Sequence, residues 1–398
     1  MAGFLDSLRQ RFSSERAEKL PSGIYHYQSP PDDPLNYRLH LRLEGDGSGL
    51  LVINASTVLH LNQTAAEYAY HLVQRTPADQ VAEQVSKRYR VRPGMALADF
   101  EGLQERIETL ITTPDLDPVT YLDFERHEPY SDAVTAPYRL DCALTYRLPE
   151  HAPPGMAPDK RVDRELTTEE WKQVIDKAWE VGIPHIIFTG GEPTLRDDLA
   201  ELIKYAEDKG QVTGLLTNGL RLADTSYLNE LLQAGLDHAM VILQPNDQQT
   251  WESLASFAYW TETLEEDIFI AAHLTITQEN AKQVFELMDK LAEGGVSAVS
   301  LSESEPSLSE TLQEARSYAD SRDLPLIWDL PVPYSNMNPV ALELEAEEQP
   351  LPEGSGIGWL YVEPDGDVLP GQGINEIVGN ILKNDWKDIW EATQRFIK

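Results

Sequence analysis

The chain has 398 residues, of which 41% are hydrophobic and 25% charged, a composition typical of a folded protein of two or three domains. Acidic residues outnumber basic ones by 67 to 32, and the net charge of −35 disfavours binding to nucleic acids or docking on anionic membranes through a basic patch. No run of about 18 apolar residues occurs, so we predict no transmembrane segment. The single cysteine, Cys142, excludes an internal disulfide and fits a cytoplasmic location.

The first 22 residues predict an amphipathic helix. Its apolar residues recur at helical spacing and share one face: Phe4, Leu5, Leu8 and Phe12. The stretch lacks the order of basic, apolar and small segments that marks a secretory signal. We interpret it as a docking helix, with an interfacial membrane helix as the alternative.

Residues 23–115 predict a small α+β domain. Apolar and polar residues alternate over 37–43, and the glycine-rich loop 45–49 then leads to two more short strands at 50–54 and 57–61. Helical patterns follow at about 64–75, 78–90 and 96–112, with a break at Pro93-Gly94. We therefore predict a three-stranded antiparallel sheet with helices packed on it.

The run from Leu59 to Ala66 (Leu-His-Leu-Asn-Gln-Thr-Ala-Ala), followed by helices, resembles the PqqD-like family of peptide-chaperone domains. These domains are also called recognition elements of ribosomally made, modified peptides (RiPPs). In that family a leader peptide adds as a strand beside the third strand and lies against the first long helix. The resemblance implies that Thr57–Leu61 offers unpaired edge groups to such a peptide. A winged-helix-like accessory domain that binds no peptide is the alternative.

Residues 116–136 are polar and contain prolines, so we predict a linker. Strand and helix patterns then alternate over 137–330, and six βα units in order predict an α/β fold, a partial (βα)6 TIM-like barrel. A capping box at Thr167–Glu170 marks the start of the first helix. The strands are predicted at 138–146, 185–189, 212–217, 238–243, 269–276 and 296–301, with a candidate further strand at 326–328.

The last segment, 331–398, predicts a hairpin and a closing helix. Two short apolar runs flank Asp365-Gly366, a dipeptide typical of tight hairpin turns. A helical pattern occupies 385–397.

The second and third strands of the βα units end in two short motifs: Gly190-Gly191-Glu192-Pro193 and Thr217-Asn218-Gly219. The carboxyl ends of parallel strands are where small ligands bind. With the six βα units and the tail hairpin, these motifs resemble the radical S-adenosylmethionine (SAM) superfamily, in its peptide-modifying branch with a SPASM-type tail. In that family the Gly-Gly-Glu-Pro turn binds the amino group of the SAM methionine moiety. The resemblance thus implies cofactor-binding roles for Gly190, Gly191, Glu192, Pro193, Thr217, Asn218 and Gly219.

The chemistry of that family requires a four-iron four-sulfur cluster, held by a Cys-x3-Cys-x2-Cys loop after the first strand. The three cysteine positions map to Leu148, Ala152 and Gly155 in this chain. Cys142 lies on the apolar side of the strand and is interpreted as a buried small hydrophobe. His151 is a single imidazole and makes no metal site. Because one cysteine cannot supply three thiolates, we expect neither an iron–sulfur cluster nor another metal site.

Other departures from the family point the same way. Ile242-Leu243-Gln244-Pro245 stands where the family often has Ser-Leu-Asp, and Gly371 stands where an auxiliary-cluster cysteine would follow the hairpin. Four prolines in the loop 148–158 favour polyproline II geometry, so we predict an ordered lid in the place of the cluster.

These features predict a degenerate radical SAM protein that catalyses no reaction. It would bind a precursor peptide or a sister modifying enzyme in a ribosomal-peptide or peptide-derived cofactor pathway, with residual SAM binding still open. The alternative is a cluster-free enzyme that binds SAM or another small molecule at the barrel mouth, with Glu192 as the first candidate acid or base. A third interpretation is that a partner chain lends the missing cysteines.

Overall fold

The computed structural model describes residues 19–30, 32–113, 134–150, 152, 157–158, 160–264, 268–327 and 354–397. Most of the predicted N-terminal helix, most of the predicted linker and the first part of the tail lie outside these ranges. The chain forms two compact units, Met1–Ala136 with Glu180–Pro184, and Pro137–Trp179 with His185–Lys398. Among the described residues, no helix is both long and apolar enough to cross a membrane.

The first unit contains a four-stranded antiparallel sheet in the order β1-β2-β3-β4. The prediction of three strands was wrong because the first strand has a weak pattern: its sequence, GIYHYQ, starts at a glycine and buries no residue fully. Three helices follow the sheet. The elements are β1 (Gly23–Gln28), β2 (Arg38–Leu43), β3 (Gly49–Ile53), β4 (Thr57–Leu61), α1 (Gln63–Val73), α2 (Ala78–Tyr89) and α3 (Pro93–Thr112).

Two local details of this unit differ from the predicted pattern. Pro93 does not merely interrupt the chain: it is the first residue of α3, where its missing N–H costs no helical hydrogen bond. All of β2 is buried, including the polar residues that alternate with its leucines. Arg42 Nε donates to Glu44 at 3.0 Å, and the Arg42 guanidinium also donates to the Ala136 carbonyl.

Helix α1 begins after an N-cap residue, since Asn62 Oδ1 accepts hydrogen bonds from the amides of Thr64 and Ala65.

The second unit is built on a nine-stranded sheet in the order β10-β9-β8-β7-β6-β5-β11-β12-β13. Its six parallel strands confirm the predicted α/β fold with a parallel sheet: β5 (Arg139–Thr145), β6 (His185–Gly190), β7 (Val212–Thr217), β8 (His238–Ile242), β9 (Phe269–Ile276) and β10 (Ala298–Glu303). The candidate strand at 326–328 is reduced to a single bridge between Leu326 and Val299, and Trp328 lies outside the described residues.

The tail hairpin extends this same sheet, which the sequence did not predict. Its strands are β11 (Trp359–Val362), β12 (Asp367–Leu369) and β13 (Gly379–Asn380). Strand β11 runs parallel beside β5. Strand β12 follows the predicted Asp-Gly turn and pairs with β11 in the antiparallel direction. The tail therefore pairs with the strand edge of β5 that faces away from β6.

Helices follow the parallel strands. They are α4 (Thr168–Glu180), α5 (Leu199–Glu207), α6 (Thr225–Gln233), α7 (Gln248–Leu264), α8 (Val284–Glu293) and α9 (Ser309–Ser321), and a last helix, α10 (Trp386–Phe396), follows β13. The capping box at the start of α4 is present: Glu170 accepts from the Thr167 amide at 2.9 Å, and Thr167 Oγ1 accepts from the Glu170 amide at 3.3 Å.

Side chains along each strand alternate between the two faces of the sheet. We call the inner face the one that carries an apolar cluster of Ile187, Leu216, Met240 and Ala271. Near the N-terminal ends of the strands this face also holds two histidines, His185 and His238, whose Nε2 atoms lie 2.7 Å apart. The two rings meet across β7 because Gly214 has no side chain: a Cβ there would overlap the His238 ring.

Candidate functional site

The Gly190-Gly191 turn at the end of β6 is held against the end of β5. The amide of Gly191 donates to the Thr145 carbonyl at 2.7 Å, and the amide of Glu192 donates to the Arg147 carbonyl at 2.9 Å. Gly190 has a φ of 129°, and a Cβ on it would overlap Thr145 O, just as a Cβ on Gly191 would overlap Arg147 O. The close approach of the two chain segments therefore accounts for both glycines without a ligand.

The Glu192 carboxylate is buried and accepts four hydrogen bonds from the protein. Its Oε1 accepts from the amide of Thr194 at 3.0 Å, from Thr194 Oγ1 at 2.5 Å and from Thr217 Oγ1 at 2.7 Å. Its Oε2 accepts from the amide of Asn218 at 2.8 Å. A carboxylate offers about four lone-pair positions, two on each oxygen. Three of these bonds reach Oε1 and one reaches Oε2, and together they tie the β6 turn to the end of β7.

This environment limits what Glu192 can do chemically. Only 1% of the surface of Glu192 is exposed. Burial raises the pKa of its carboxyl group, and the four hydrogen bonds oppose that rise. A general acid or base must reach the proton that it transfers, and here the donors within reach belong to the protein. The geometry therefore favours a structural link over the acid–base role considered from the sequence.

The remaining predicted site residues lie beside this carboxylate. Pro193 begins a short 3-10 turn, Pro193–Leu195, directly after Glu192. At the end of β7, Thr217 Oγ1 also accepts from the Gly219 amide, and Asn218 Oδ1 accepts from the Leu220 amide. Gly219 has a φ of 77°, and a Cβ on it would lie 2.7 Å from Val241 Cγ1. All seven predicted residues thus come together at the carboxyl ends of β6 and β7.

Thr189 is a candidate site residue that was not predicted from the sequence. It is completely buried, and its Oγ1 has no hydrogen-bond partner among the described residues. Thr189 lies two residues after Ile187 on β6, so both side chains belong to the inner face. Thr189 comes directly before the Gly-Gly turn. A buried hydroxyl without a partner costs about 1–3 kcal/mol, so this position suits a polar ligand. Its two-residue spacing from Ile187 is the sequence signal that could have identified it.

The residues present do not fit an iron–sulfur cluster. Cys142 is completely buried within β5, and burial raises the pKa of its thiol well above the ordinary value, which keeps it protonated. Within the described ranges, no group of three or more His, Cys, Asp and Glu residues could hold a metal ion. Of the three positions where the family has cysteines, Leu148 and Ala152 are described, whereas Gly155 lies outside the described residues, as does His151.

An apolar cluster forms where the family has its cysteine loop. Leu148 packs, with Val162, against a buried set that we call the β5-end cluster: Ala143, Tyr146, Ala157, Tyr361 and Leu369. These residues come from the end of β5, from the following loop and from the tail hairpin. The first mapped cysteine position therefore holds a half-buried side chain that packs against a hydrophobic cluster. The centre of the predicted proline-rich lid lies outside the described residues.

A polar group, which we call the Glu363 clamp, fastens the same region. Glu363 is 2% exposed and accepts from Tyr146 Oη at 2.9 Å, and its Oε1 lies 2.7 Å from Arg161 Nε. Burial raises the pKa of Glu363, and the Arg161 charge opposes that rise. The clamp joins both described ends of the loop after β5 to the tail. The sequence could not indicate it, since Tyr146 and Glu363 are 217 residues apart.

Comparison with known proteins shows which families this chain is similar to. The Radical SAM superfamily profile matches residues 142–266. A PqqA peptide cyclase from Streptomyces rochei is 27% identical over 297 residues, which is 66% of this chain and 78% of that protein. A PqqA peptide cyclase from Bradyrhizobium diazoefficiens is 31% identical over 172 residues, covering 40% of this chain and 44% of that protein.

Solved structures share the fold. SuiB of Streptococcus suis bound to S-adenosylmethionine superposes with a TM-score of 0.57 and 16% identity, covering 88% of this chain and 86% of that one. SuiB bound to the precursor peptide SuiA gives a TM-score of 0.57 and 15% identity, covering 94% and 88%. Residues 142–266 are therefore similar to the Radical SAM superfamily, the α/β fold is like that of SuiB, and PqqA peptide cyclases are sequence relatives of this chain.

Proposed function

We propose that this chain binds a precursor peptide in a ribosomal-peptide or peptide-derived cofactor modification pathway and performs no iron–sulfur radical chemistry. One observation carries the second half of this proposal: the chain has one cysteine, buried inside β5, where three thiolates would be needed. The β5-end cluster and the Glu363 clamp support it, because the chain's own side chains fill and fasten the region that follows β5. We further propose a cytoplasmic location.

The proposed peptide site is the outer edge of β4 in the first unit. Strand β4 ends the sheet order, pairing with β3 on one side, and α1 follows it after the Asn62 cap. An extended peptide can add to such an edge through main-chain hydrogen bonds. We further propose that residues 23–115 form a PqqD-like domain, 137–330 a partial barrel and 331–398 a SPASM-like tail. The SuiB structure with its precursor peptide supports a peptide as partner, and a sister modifying enzyme is a second proposed partner.

We propose that SAM, where it binds, does so weakly beside the ends of β6 and β7. The Thr189 hydroxyl, which has no hydrogen-bond partner in the part of the chain that the structure describes, supports a polar ligand there, and the SAM-bound SuiB structure supports SAM as that ligand. The seven residues from Gly190 to Pro193 and from Thr217 to Gly219 would form the wall of the site. Without a cluster iron to bind the methionine end, affinity is reduced.

Hydrogen exchange on the full-length protein tests the peptide site. Synthetic peptides from the short reading frames beside the gene are the probes, with scrambled versions as controls. We expect one peptide to bind saturably and to slow amide exchange in Thr57–Leu61 and in α1. Strand β1, at the opposite edge of the same sheet, is the internal control and should keep its exchange rate. Protection at β1, or no slowing at β4 by any of the peptides, contradicts the proposed site.

Anaerobic reconstitution with iron and sulfide tests the absence of radical chemistry. We expect no broad visible absorption and no stoichiometric iron after desalting. A cluster of about four irons per chain would refute the proposal and favour cysteines lent by a partner chain in the preparation. Calorimetry with SAM then separates a pure peptide-binding protein, which gives no heat, from one that retains the cofactor site.

A further inference from the structure

A second polar group lies on the inner face, away from the Gly190 turn. His273 is 1% exposed on β9, and its Nδ1 lies 2.9 Å from Ser300 Oγ on β10. Its Nε2 lies 3.2 Å from Thr275 Oγ1 and 3.1 Å from Ser302 Oγ, and these two hydroxyls are themselves 3.2 Å apart. We call His273, Thr275, Ser300 and Ser302 the hydroxyl–imidazole cluster. Thr275 and Ser302 lie in the last two residues of β9 and β10, at the end of a parallel sheet where ligands bind, and His273 and Ser300 lie two residues before them.

The groups of this cluster are uncharged. Burial lowers the pKa of His273 to about 4, so its imidazole is neutral at physiological pH. A neutral imidazole offers one donor and one acceptor, and each hydroxyl can rotate to donate or to accept. The cluster can therefore exchange an internal hydrogen bond for one to a ligand without moving a charge. Such chemistry matches an amide or a hydroxyl rather than a carboxylate, phosphate or ammonium group.

An apolar surface adjoins the cluster. In the register of the sheet, Ile242 pairs with His273, and Met240 pairs with Ala271 one layer below. Met240 and Ala271 are buried, whereas Ile242 and Ile327 are only half-buried beside them. Ser302 is also half-buried, so the polar and the apolar parts both reach solvent at this end. An apolar floor with a few convergent polar groups is the usual composition of a small-ligand site.

We propose that this part of the inner face binds an uncharged group made of an aliphatic side chain next to an amide, as a peptide segment provides. The identity of the natural ligand rests on the proposed peptide-binding function, whereas the site itself does not. It is separate from the β4 edge: the edge holds an extended backbone, and the cluster selects a neutral amphiphilic group.

Three small probes with the same isobutyl side chain test the proposal on the full-length protein. N-acetyl-leucinamide is neutral, N-acetyl-leucine carries a carboxylate, and leucinamide carries an ammonium group. The methyl signal of Met240, assigned with Met240→Leu among the six methionines, and the ring signals of His273 report binding by NMR. We expect saturable shifts of both with N-acetyl-leucinamide, and at least about tenfold weaker binding of the charged probes because a charge must be desolvated without a counter-ion.

Two serine variants provide the matched comparison. Ser302→Ala should weaken N-acetyl-leucinamide binding about fivefold, the effect of one lost hydrogen bond. Ser317→Ala, an exposed position on α9, should leave it unchanged. The proposal is overturned if N-acetyl-leucinamide produces no saturable shift, if the charged probes bind as well, or if Ser302→Ala binds with unchanged affinity while its circular dichroism matches the parent protein. Peptide protection at β4 is independent of these results, so failure here leaves the proposed function standing.

Discussion

Replacing Gly190 by alanine tests whether the turn after β6 is set by the chain's own packing. The residue has a φ of 129°, and an added Cβ would overlap the carbonyl oxygen of Thr145. That oxygen accepts the hydrogen bond of the Gly191 amide, so the overlap cannot be relieved without moving the contact between β5 and β6.

The cost can be estimated in two parts. An alanine at this φ loses about 1–3 kcal/mol through backbone strain. Relieving the overlap displaces at least one main-chain hydrogen bond and the packing around it, which adds about 2 kcal/mol. Gly190→Ala should therefore destabilise the second unit by about 3–5 kcal/mol, a large fraction of an ordinary domain's stability. Gly295→Ala is the matched control: its φ is 74° and no atom lies within 4 Å of an added Cβ, so it carries strain alone, about 1 kcal/mol.

Native-state hydrogen exchange of peptides from β5 and β6 measures the free energy of opening for this unit alone, which is necessary because a two-unit chain need not unfold in one step. If Gly190→Ala opens no more easily than Gly295→Ala, the prediction is wrong. That result would mean that β5 and the turn separate at little cost, and that a ligand rather than packing requires the glycines.

Three further predictions use the same exchange measurement. Glu363→Gln leaves the Arg161 guanidinium without its counter-ion and should lower the free energy of opening by about 3 kcal/mol. Asp208→Asn, which removes an exposed ion pair, should lower it by less than about 0.5 kcal/mol. Equal losses of stability in the two variants would contradict a buried clamp. Thr217→Val removes one donor to a buried carboxylate and should cost about 2 kcal/mol, and Thr217→Ser should restore most of it, unless the methyl group rather than the hydroxyl matters. Burial lowers the pKa of His238 from 6.5 to about 4, so the unfolded state binds its proton more readily. The stability linked to His238 is fully present above pH 6.5 and is lost as the pH falls toward 4. Over that range, the difference in free energy of opening between the parent protein and His238→Gln should shrink by about 2 kcal/mol. A difference that does not change with pH would refute the lowered pKa of His238.

The sequence predicted those parts of the fold whose cause is local. Each parallel strand is a short apolar run followed by a helical stripe, and the capping box at Thr167 needs only residues three apart. Strand β1 was missed because an edge strand with two tyrosines and a histidine buries too little to leave a clear pattern. The pairing of β11 with β5 was missed because hydrophobic alternation identifies a strand but not its neighbour.

The candidate site divides in the same way. The two strand-end motifs could be located from the sequence, because glycines after an apolar run mark a tight turn. The hydrogen bonds that hold Glu192 within the protein depend on where the Thr217 hydroxyl and the Asn218 amide lie, which no spacing rule encodes. Thr189 and the Glu363 clamp likewise become visible only when side chains from different strands are placed together.

The position of β11 beside β5 has a consequence for biosynthesis. Tyr146 and Glu363, which follow the two strands, are 217 residues apart, so a ribosome adding 5–20 residues per second completes β5 roughly 10–40 s before its neighbour exists. During that interval the outer edge of β5 has open main-chain hydrogen-bonding groups, and such edges pair with other chains. Nascent or truncated chains that end before residue 354 should thus be aggregation-prone forms of this protein, and a chaperone that covers strand edges should matter most between the synthesis of β5 and that of β11.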